Sequence, residues 1–360
     1  MNLTRFQELL AYPSRNWDEP ASTRWFSLCA RMRDYEAPSK QLAISKKQKW
    51  ELISAFQKSI RRGDKLMALR LISAMDKMPE EYGYFWKRLC VIACEDIGPA
   101  DDLLATFVTA CEAVYSARKA AGVYYDLICF LTEEMCDLSN RSRIYCSYSM
   151  IDMMLSTTSL PEYSVVDREI ISAITRRKAS LLEPSSPWEE WLRKNDWRAG
   201  QLLRFIGLAL PMEMTRVQLA VPKHRMLFGL PSYCYDMHTR VGLEMLRRIV
   251  RGVRGAEEIA ELLERNKVQN AHRVLGDALF FVEGGRIQGE LIYGSVCCLE
   301  QRLSAHLYGL SLNDWLHLQV MVLMTLESGI VDRAREDVLH QFYSEAPTME
   351  HSSLFPLGRP

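Results

Sequence analysis

Residues 50–75, WELISAFQKSIRRGDKLMALRLISAM, decide the fold class. Apolar side chains recur at three- and four-residue steps from Trp50 through Phe56 to Ile60, which is the spacing of one face of an α-helix. Gly63 ends this helix, and a second apolar run, KLMALRLISAM, follows almost at once. The stretch therefore predicts two antiparallel helices joined by a tight turn.

The same helical periodicity continues along almost the whole chain, without a strand-rich region or a repeat of fixed period. Before the opening stretch, Ser22 and Thr23 are predicted to cap a helix. We therefore predict an all-α protein, built as a multi-helix array. The predicted parts are an N-terminal helical extension (1–47), a helical domain (48–160), a linker region with a Trp-rich helix (161–200), a second helical domain (201–345) and a flexible tail (346–360).

Composition limits the class of function. The 360 residues include 45 basic and 45 acidic side chains, so the formal net charge is zero. Proteins that coat nucleic acid without sequence preference are usually strongly basic, so any DNA contact must come from a local patch. The ten cysteines show neither C-x-x-C nor zinc-finger spacing, which predicts reduced thiols and no metal site. With no secretion signal and no bilayer-spanning apolar stretch, we expect a soluble cytoplasmic protein with no membrane partner.

Three common catalytic motifs are absent from the sequence. Gly284 and Gly289 have the spacing of a phosphate-binding loop, but Glu290 occupies the position where that loop requires lysine. Neither a G-x-S-x-G nucleophile elbow nor an H-E-x-x-H zinc signature occurs. We therefore expect no NTPase activity and no cofactor, and an enzymatic function is the less favoured class.

A cluster of acidic residues ends the third apolar helix, in FWKRLCVIACEDIGPADD (85–102). Adjacent helical residues point about 100° apart, so Glu95 and Asp96 cannot easily share a proton. Acidic side chains suit helix N-termini, and Asp101 is predicted to cap the next helix. This structural interpretation is favoured over a catalytic or metal-binding carboxylate pair, which is the alternative.

Residues of about 48–155 resemble the helical C-terminal region of the bacterial replication-associated recombination AAA+ ATPases, which are relatives of clamp loaders. The resemblance implies a collar-like, oligomerising first half connected with DNA repair or replication forks, and it assigns the acidic turn to this collar. The 47 residues before the match are too few for the family's ATPase and lid, so we expect no motor activity. The matching motif residues, with structural roles implied, are Lys58, Ser59, Arg61, Glu95, Asp96, Gly98 and Asp101.

The second half contains a run of arginines in LPSYCYDMHTRVGLEMLRRIVRGVRG (230–255). At helical spacing these side chains can form a stripe that meets phosphates. On a neutral protein, a solvated helix face is the more common use of such a run. The candidate DNA-binding residues are Arg240, Arg247, Arg248, Arg251 and Arg254.

Asp236 and His238, just before these arginines, are the candidate catalytic residues. The order Asp-x-His-x-x-Val resembles the segment around the catalytic aspartate of helix-hairpin-helix DNA glycosylases, where the carboxylate stabilises an oxocarbenium-like charge. The glycine-rich hairpin and the lysine of that family have no counterpart here. Alternatively, Asp236 caps the following helix, with Thr239 assisting.

Three hypotheses follow. The first is a non-catalytic accessory protein of DNA replication or recombination, with DNA, replication or recombination proteins and further copies of itself as candidate partners. Carried on a mobile element, such a motorless chain could block the oligomerisation of host fork proteins. The second is an enzyme that acts on DNA bases or nucleotides, with Asp236 as the key carboxylate. The third is a scaffold or inhibitor that binds only proteins.

Overall fold

The protein is all-α, as the periodicity predicts. The computed structural model contains fourteen α-helices and one two-stranded hairpin within the residues that it describes. Three predictions concern other residues: the role of Gly98, the Trp-rich helix of the linker and the tail after residue 345. The described residues are 3–11, 18–39, 49–75, 82–97, 101–115, 125–138, 151, 154–155, 164–178, 222–284 and 295–344.

The described helices are 8–16 residues long. In the first half they are α1 (Leu3–Leu10), α2 (Glu19–Arg33), α3 (Lys49–Arg62), α4 (Lys65–Met75), α5 (Tyr82–Ile92), α6 (Asp102–Tyr115), α7 (Tyr125–Leu138) and α8 (Val165–Lys178). In the second half they are α9 (Arg240–Val250), α10 (Glu257–Arg265), α11 (Ala271–Glu283), α12 (Ser295–Leu307), α13 (Leu312–Glu327) and α14 (Ile330–Ser344).

Four short elements extend or join these helices. A π-helical turn, Ala93–Ile97, extends α5 through the acidic residues. The strands β1 (Met226–Leu227) and β2 (Leu230–Pro231) pair antiparallel, with Leu227 opposite Leu230. A single 3₁₀ turn, Ser232–Cys234, follows β2 directly.

Gly63 ends α3, as predicted. Gly63 has a φ of +69°, and its amide donates to the Ile60 carbonyl oxygen at 2.9 Å. The Asp64 amide donates to the Ser59 carbonyl oxygen at 2.8 Å. This pair of hydrogen bonds is the Schellman motif, which needs a left-handed residue at the glycine position. The buried face of α3 differs from the prediction at one end, because the Trp50 side chain is half exposed.

The last six residues of α3, Gln57 to Arg62, are buried on all sides of the helix. Lys58, Arg61 and Arg62 are among them, although lysine and arginine are almost never fully buried unless they are paired. The reason is the position of α3, which packs against α4 and α7 on one side and against β2 and the 3₁₀ turn on another.

Buried apolar side chains of both halves belong to one connected cluster, from Phe6 in α1 to Leu339 in α14. Within the second half, α9 packs against α11 and α14, and α11 packs against α13. The predicted boundary between about residues 160 and 200 stays a prediction, since residues 179–221 lie outside the description. Among the described helices, none combines the length and the apolar character that crossing a bilayer requires.

The described cysteines are free thiols, and most are buried. Burial raises the pKa of Cys29 to about 12, and it raises the pKa values of Cys111 and Cys234 well above their ordinary value. Because the thiolate is the reactive form, these thiols are weak nucleophiles that serve as small apolar side chains.

Candidate functional site

The motif around Lys58 and the candidate residue Asp236 come together in the fold. Lys58 Nζ forms an ion pair with the Asp236 carboxylate and donates to the Tyr233 carbonyl oxygen at 2.8 Å. Ser59 donates its hydroxyl proton to the Ala55 carbonyl, so the Tyr233 hydroxyl, 2.6 Å away, donates to Ser59. The Lys58 motif of α3 therefore contacts the segment that precedes α9.

The Asp236 carboxylate is enclosed by its partners. Its Oδ2 lies 2.9 Å from His238 Nδ1, and its Oδ1 accepts the His238 amide at 3.0 Å. Burial by itself would raise the pKa of Asp236, but the Lys58 charge and the His238 hydrogen bonds together lower that pKa below its usual range. Asp236 is thus a fixed anion with no accessible surface.

The helix cap lies at Thr239 rather than at Asp236. Thr239 Oγ1 accepts the Gly242 amide at 3.1 Å, and its hydroxyl donates to the Asp236 carbonyl oxygen at 3.0 Å. Asp236 acts earlier, by turning the chain through its hydrogen bond with the His238 amide. A Cβ on Gly242 would lie 1.9 Å from the Asp236 carbonyl oxygen, so this close approach needs glycine. The prediction that Asp236 caps α9 is corrected accordingly.

A second buried ionic group, centred on Arg335, was missed by the sequence analysis. Its Nη1 lies 2.9 Å from Glu283 Oε1, its Nη2 donates to Glu283 Oε2 at 3.0 Å, and its Nη1 donates to Asp332 Oδ1 at 3.1 Å. Its Nε donates to the Tyr235 carbonyl oxygen at 3.0 Å. The available signal was the position of Arg335 on the buried face of α14, four residues after Val331 and four before Leu339.

The acidic turn of α5 pairs with the Lys58 motif. Arg61 Nε donates to Asp96 Oδ1 at 2.7 Å, and the Arg61 guanidinium lies 4.8 Å from the centre of the Phe280 ring. Asp101 accepts the Leu104 amide at 3.0 Å, which confirms that it caps α6. The Glu95 side chain lies outside the described part of the structure. These contacts favour the structural interpretation of Asp96.

Arg62 is buried with neutral partners. It donates to the carbonyl oxygens of Glu283 and Pro222, and its guanidinium lies 4.6 Å from the centre of the Tyr233 ring. Burial is the main cause that lowers the pKa of Arg62. With Lys58 and Arg61 it lines a narrow cleft that has room for about one water molecule, which is too small for a nucleotide.

Most of the predicted arginines are exposed, on the outer side of α9 or just after its end. Arg240, Arg247 and Arg251 are exposed and fall within about 40° of one another around the helix axis, and Arg254 follows them, also exposed. We call these four residues the arginine face. Arg248 is half buried, and it donates to the Gln341 side chain of α14.

Two side chains next to the arginine face, Glu244 and His272, report on its electrostatics. Glu244 lies among the arginines, 3.7 Å from Arg247 and 3.6 Å from Arg248. His272, at the start of α11, has its pKa lowered by burial and then by the positive charges of Arg247 and Arg273. The positive charges of Arg247 on α9 and of Arg273 on α11 therefore both act on His272, in the first turn of α11.

The two candidate catalytic residues differ in access to solvent. The His238 side chain is 62% exposed and packs edge-on against Phe280 at 5.8 Å, whereas Asp236 is enclosed. Within the described ranges, no three histidine, cysteine or acidic side chains converge as a metal site requires.

No protein-family model, curated protein or solved structure matches the chain.

Proposed function

We propose that this chain is a non-catalytic accessory protein of DNA replication or recombination that binds the DNA backbone through the arginine face. The alignment of Arg240, Arg247 and Arg251 on the exposed side of α9 is the observation that carries the proposal. The resemblance of the first half to a clamp-loader collar supports the other part of the proposal, which is assembly with replication or recombination proteins.

The arginine face suits a phosphate backbone in length and in chemistry. From Arg240 to Arg251 it extends about 16 Å along the helix. Duplex DNA carries one charge per about 1.7 Å of its axis, so a row of this length meets several phosphates. Arg240, Arg251 and Arg254 form no ion pair with the described residues, and guanidinium groups bind phosphate oxygens in a bidentate manner.

Charges on the neighbouring helices indicate the direction in which a DNA backbone would cross α9. The first turn of α11 adds the positive charge of the exposed Arg273, and this charge and that of Arg247 both act to lower the pKa of His272. The exposed side of α10 is acidic and would repel phosphates, so we expect the backbone to run across α9 towards α11. The exposed acidic residues of α10 are Glu257, Glu258, Glu261 and Glu264.

The buried ionic pairs support a structural use of the candidate catalytic residues. Lys58 and His238 already occupy the Asp236 carboxylate, so a sugar could not approach it without breaking the ion pair. This arrangement instead holds the chain just before α9 against α3. In this proposal Asp236 helps to position the helix that bears the arginine face.

Neutralising the arginine face should weaken DNA binding and reduce its dependence on salt. For Arg247→Gln/Arg251→Gln/Arg254→Gln, we expect at least about a tenfold loss of affinity near 0.1 M salt. The plot of log affinity against log salt should become shallower by about 3, which is about one per lost phosphate contact. Fluorescence anisotropy with a labelled 20-nucleotide-pair duplex across a salt series measures both quantities.

The matched control removes three exposed charges from other helices, as Lys87→Gln/Arg168→Gln/Arg265→Gln. This control variant has the same net charge as the test variant, so a general charge effect would weaken both equally. Equal affinities for the wild type and the arginine-face variant would rule out this surface. If the wild type bound no DNA at low salt, the scaffold that binds only proteins would become the better hypothesis.

Removing the negative charge within the face should have the opposite effect. Glu244→Gln is expected to tighten duplex binding about two- to fivefold, because a charge about 4–8 Å from a phosphate in water is worth about 0.5–1 kcal/mol. The gain should disappear at high salt, where screening shortens the range of the interaction. Glu169→Gln, an exposed change on α8, is the control and should leave affinity unchanged. An equal gain in both variants would contradict a local effect.

The enzyme hypothesis retains one favourable observation. The Asp236 carboxylate orients an exposed histidine ring, which is the arrangement of a supported general base. This hypothesis predicts the release of free bases from DNA that contains damaged nucleotides, with loss of release in Asp236→Asn. Absence of release from the folded wild-type protein would leave the accessory function.

A further inference from the structure

The tip of the β-hairpin exposes an aromatic ring from a strained backbone position. Phe228 and Gly229 form the two-residue turn between β1 and β2, with φ values of +50° and +83°. Positive φ at both positions is typical of a type I′ turn, which strongly favours Asn-Gly or Gly-Gly. A bulky residue with positive φ is a true outlier. Phe228 is nevertheless 42% exposed, so burial in the core does not explain the choice of phenylalanine.

The Phe228 ring is held by two aromatic side chains of α14. It stacks on Tyr343 with 5.2 Å between ring centres and 17° between ring planes, and it meets His340 edge-on at 5.1 Å. Tyr343 is 41% exposed, and His340 is exposed as well. We call these three residues the aromatic platform. Stacking on Tyr343 fixes the Phe228 ring while part of that ring stays open to solvent.

The aromatic platform is flanked by basic residues and adjoins the helix of the arginine face. Arg248 of α9 donates to Gln341, which lies between the two α14 residues of the platform. On the hairpin side, Arg225 lies 3.8 Å from Glu336, one helical turn before His340, and Lys223 precedes it in the chain. A strand that crosses α9 therefore has cationic side chains next to a planar aromatic surface.

We propose that the aromatic platform is a base-stacking site and that the preferred ligand of this surface is single-stranded DNA. This inference rests on the proposed function, because it requires a phosphate backbone on the arginine face. Aromatic side chains bind unpaired bases of any sequence by stacking, whereas the bases of a duplex are already stacked on one another. The flanking arginines favour a nucleic acid over an apolar protein segment.

The test uses the full chain and three labelled oligonucleotides of equal length: a mixed-sequence single strand, an abasic single strand and a duplex. Phe228→Asn creates an Asn-Gly turn, which suits the positive φ values, so the variant should be at least as stable as the wild type. We expect it to bind the normal single strand roughly five- to hundredfold more weakly, which corresponds to the loss of one stacked base. Its affinities for the abasic strand and the duplex should not change.

Two further variants complete the design. Phe228→Tyr keeps the ring and should keep the affinity, and Phe26→Asn removes an exposed ring from α2 and should have no effect. If Phe228→Asn bound the single strand as well as the wild type did, the stacking site would be refuted while binding through the arginine face could still hold. If the wild type bound none of the three oligonucleotides at low salt, both proposals would be wrong, and the platform would be examined as a protein contact.

Discussion

Replacing Arg335 with methionine should lower the free energy of unfolding by about 3–5 kcal/mol, the cost of breaking a buried ion pair by removing one partner. The guanidinium is fully buried and is the shared partner of Glu283 and Asp332. The methionine would leave these two carboxylates close together without their cation, and the Tyr235 carbonyl would lose its donor. Urea denaturation, monitored by circular dichroism, measures the change in the free energy of unfolding.

Arg333→Met is the matched control, because Arg333 lies on the same helix, is exposed and, among the described residues, donates a hydrogen bond only to the Ser328 carbonyl oxygen, at 3.3 Å. We expect a change within about 0.5 kcal/mol for this variant. Arg335→Lys keeps the charge but lacks the planar fork that spans both carboxylates, so its stability should fall between those of the wild type and Arg335→Met. Equal stabilities of the Arg335→Met and Arg333→Met variants would contradict the structural importance of the group.

Local features of the fold could be predicted from the sequence. The turn at Gly63 was predicted correctly, since a glycine after an apolar helical run is a sufficient signal. The predicted start of α2 was wrong. Asp18, rather than Ser22 or Thr23, caps this helix, and its side chain accepts the Ala21 amide at 2.8 Å. Asp18 is followed two residues later by Pro20, which fits the first helical turn, so the signal was present.

The partners of the buried charges could not be predicted in the same way. Lys58 and Tyr233 are 175 positions apart, and Arg335 and Glu283 are 52 apart. A basic residue in an amphipathic helix is normally solvated, and only the packing of distant segments decides that it is buried and paired. The arginine face was predictable, because the amphipathic character of α9 is local: most of its apolar residues are buried and most of its arginines are exposed.

The contact between the two halves leads to the other large effect. Lys58→Met should destabilise the protein by about 3–5 kcal/mol at pH 7, because Asp236 would remain buried and ionised without its main counter-charge. A double-mutant cycle with Asp236→Asn isolates the pair, and we expect the two changes to be coupled by about 2 kcal/mol or more. Lys65→Met, which breaks the exposed pair with Glu133, is the control and should cost about 1 kcal/mol or less.

The dependence on pH distinguishes an ion pair from simple packing of the lysine chain. In the wild type the pKa of Asp236 is lowered, so its contribution to stability is present above the unfolded value of about 3.9 and is lost as the pH falls towards the folded value. Without Lys58, we expect the effect of burial to exceed that of the His238 hydrogen bonds, so the pKa of the Asp236 carboxyl in the folded protein should rise. The difference between wild type and Lys58→Met should therefore be largest near pH 7 and shrink towards pH 4. A difference that stayed constant over this range would mean that Lys58 acts through its apolar stem.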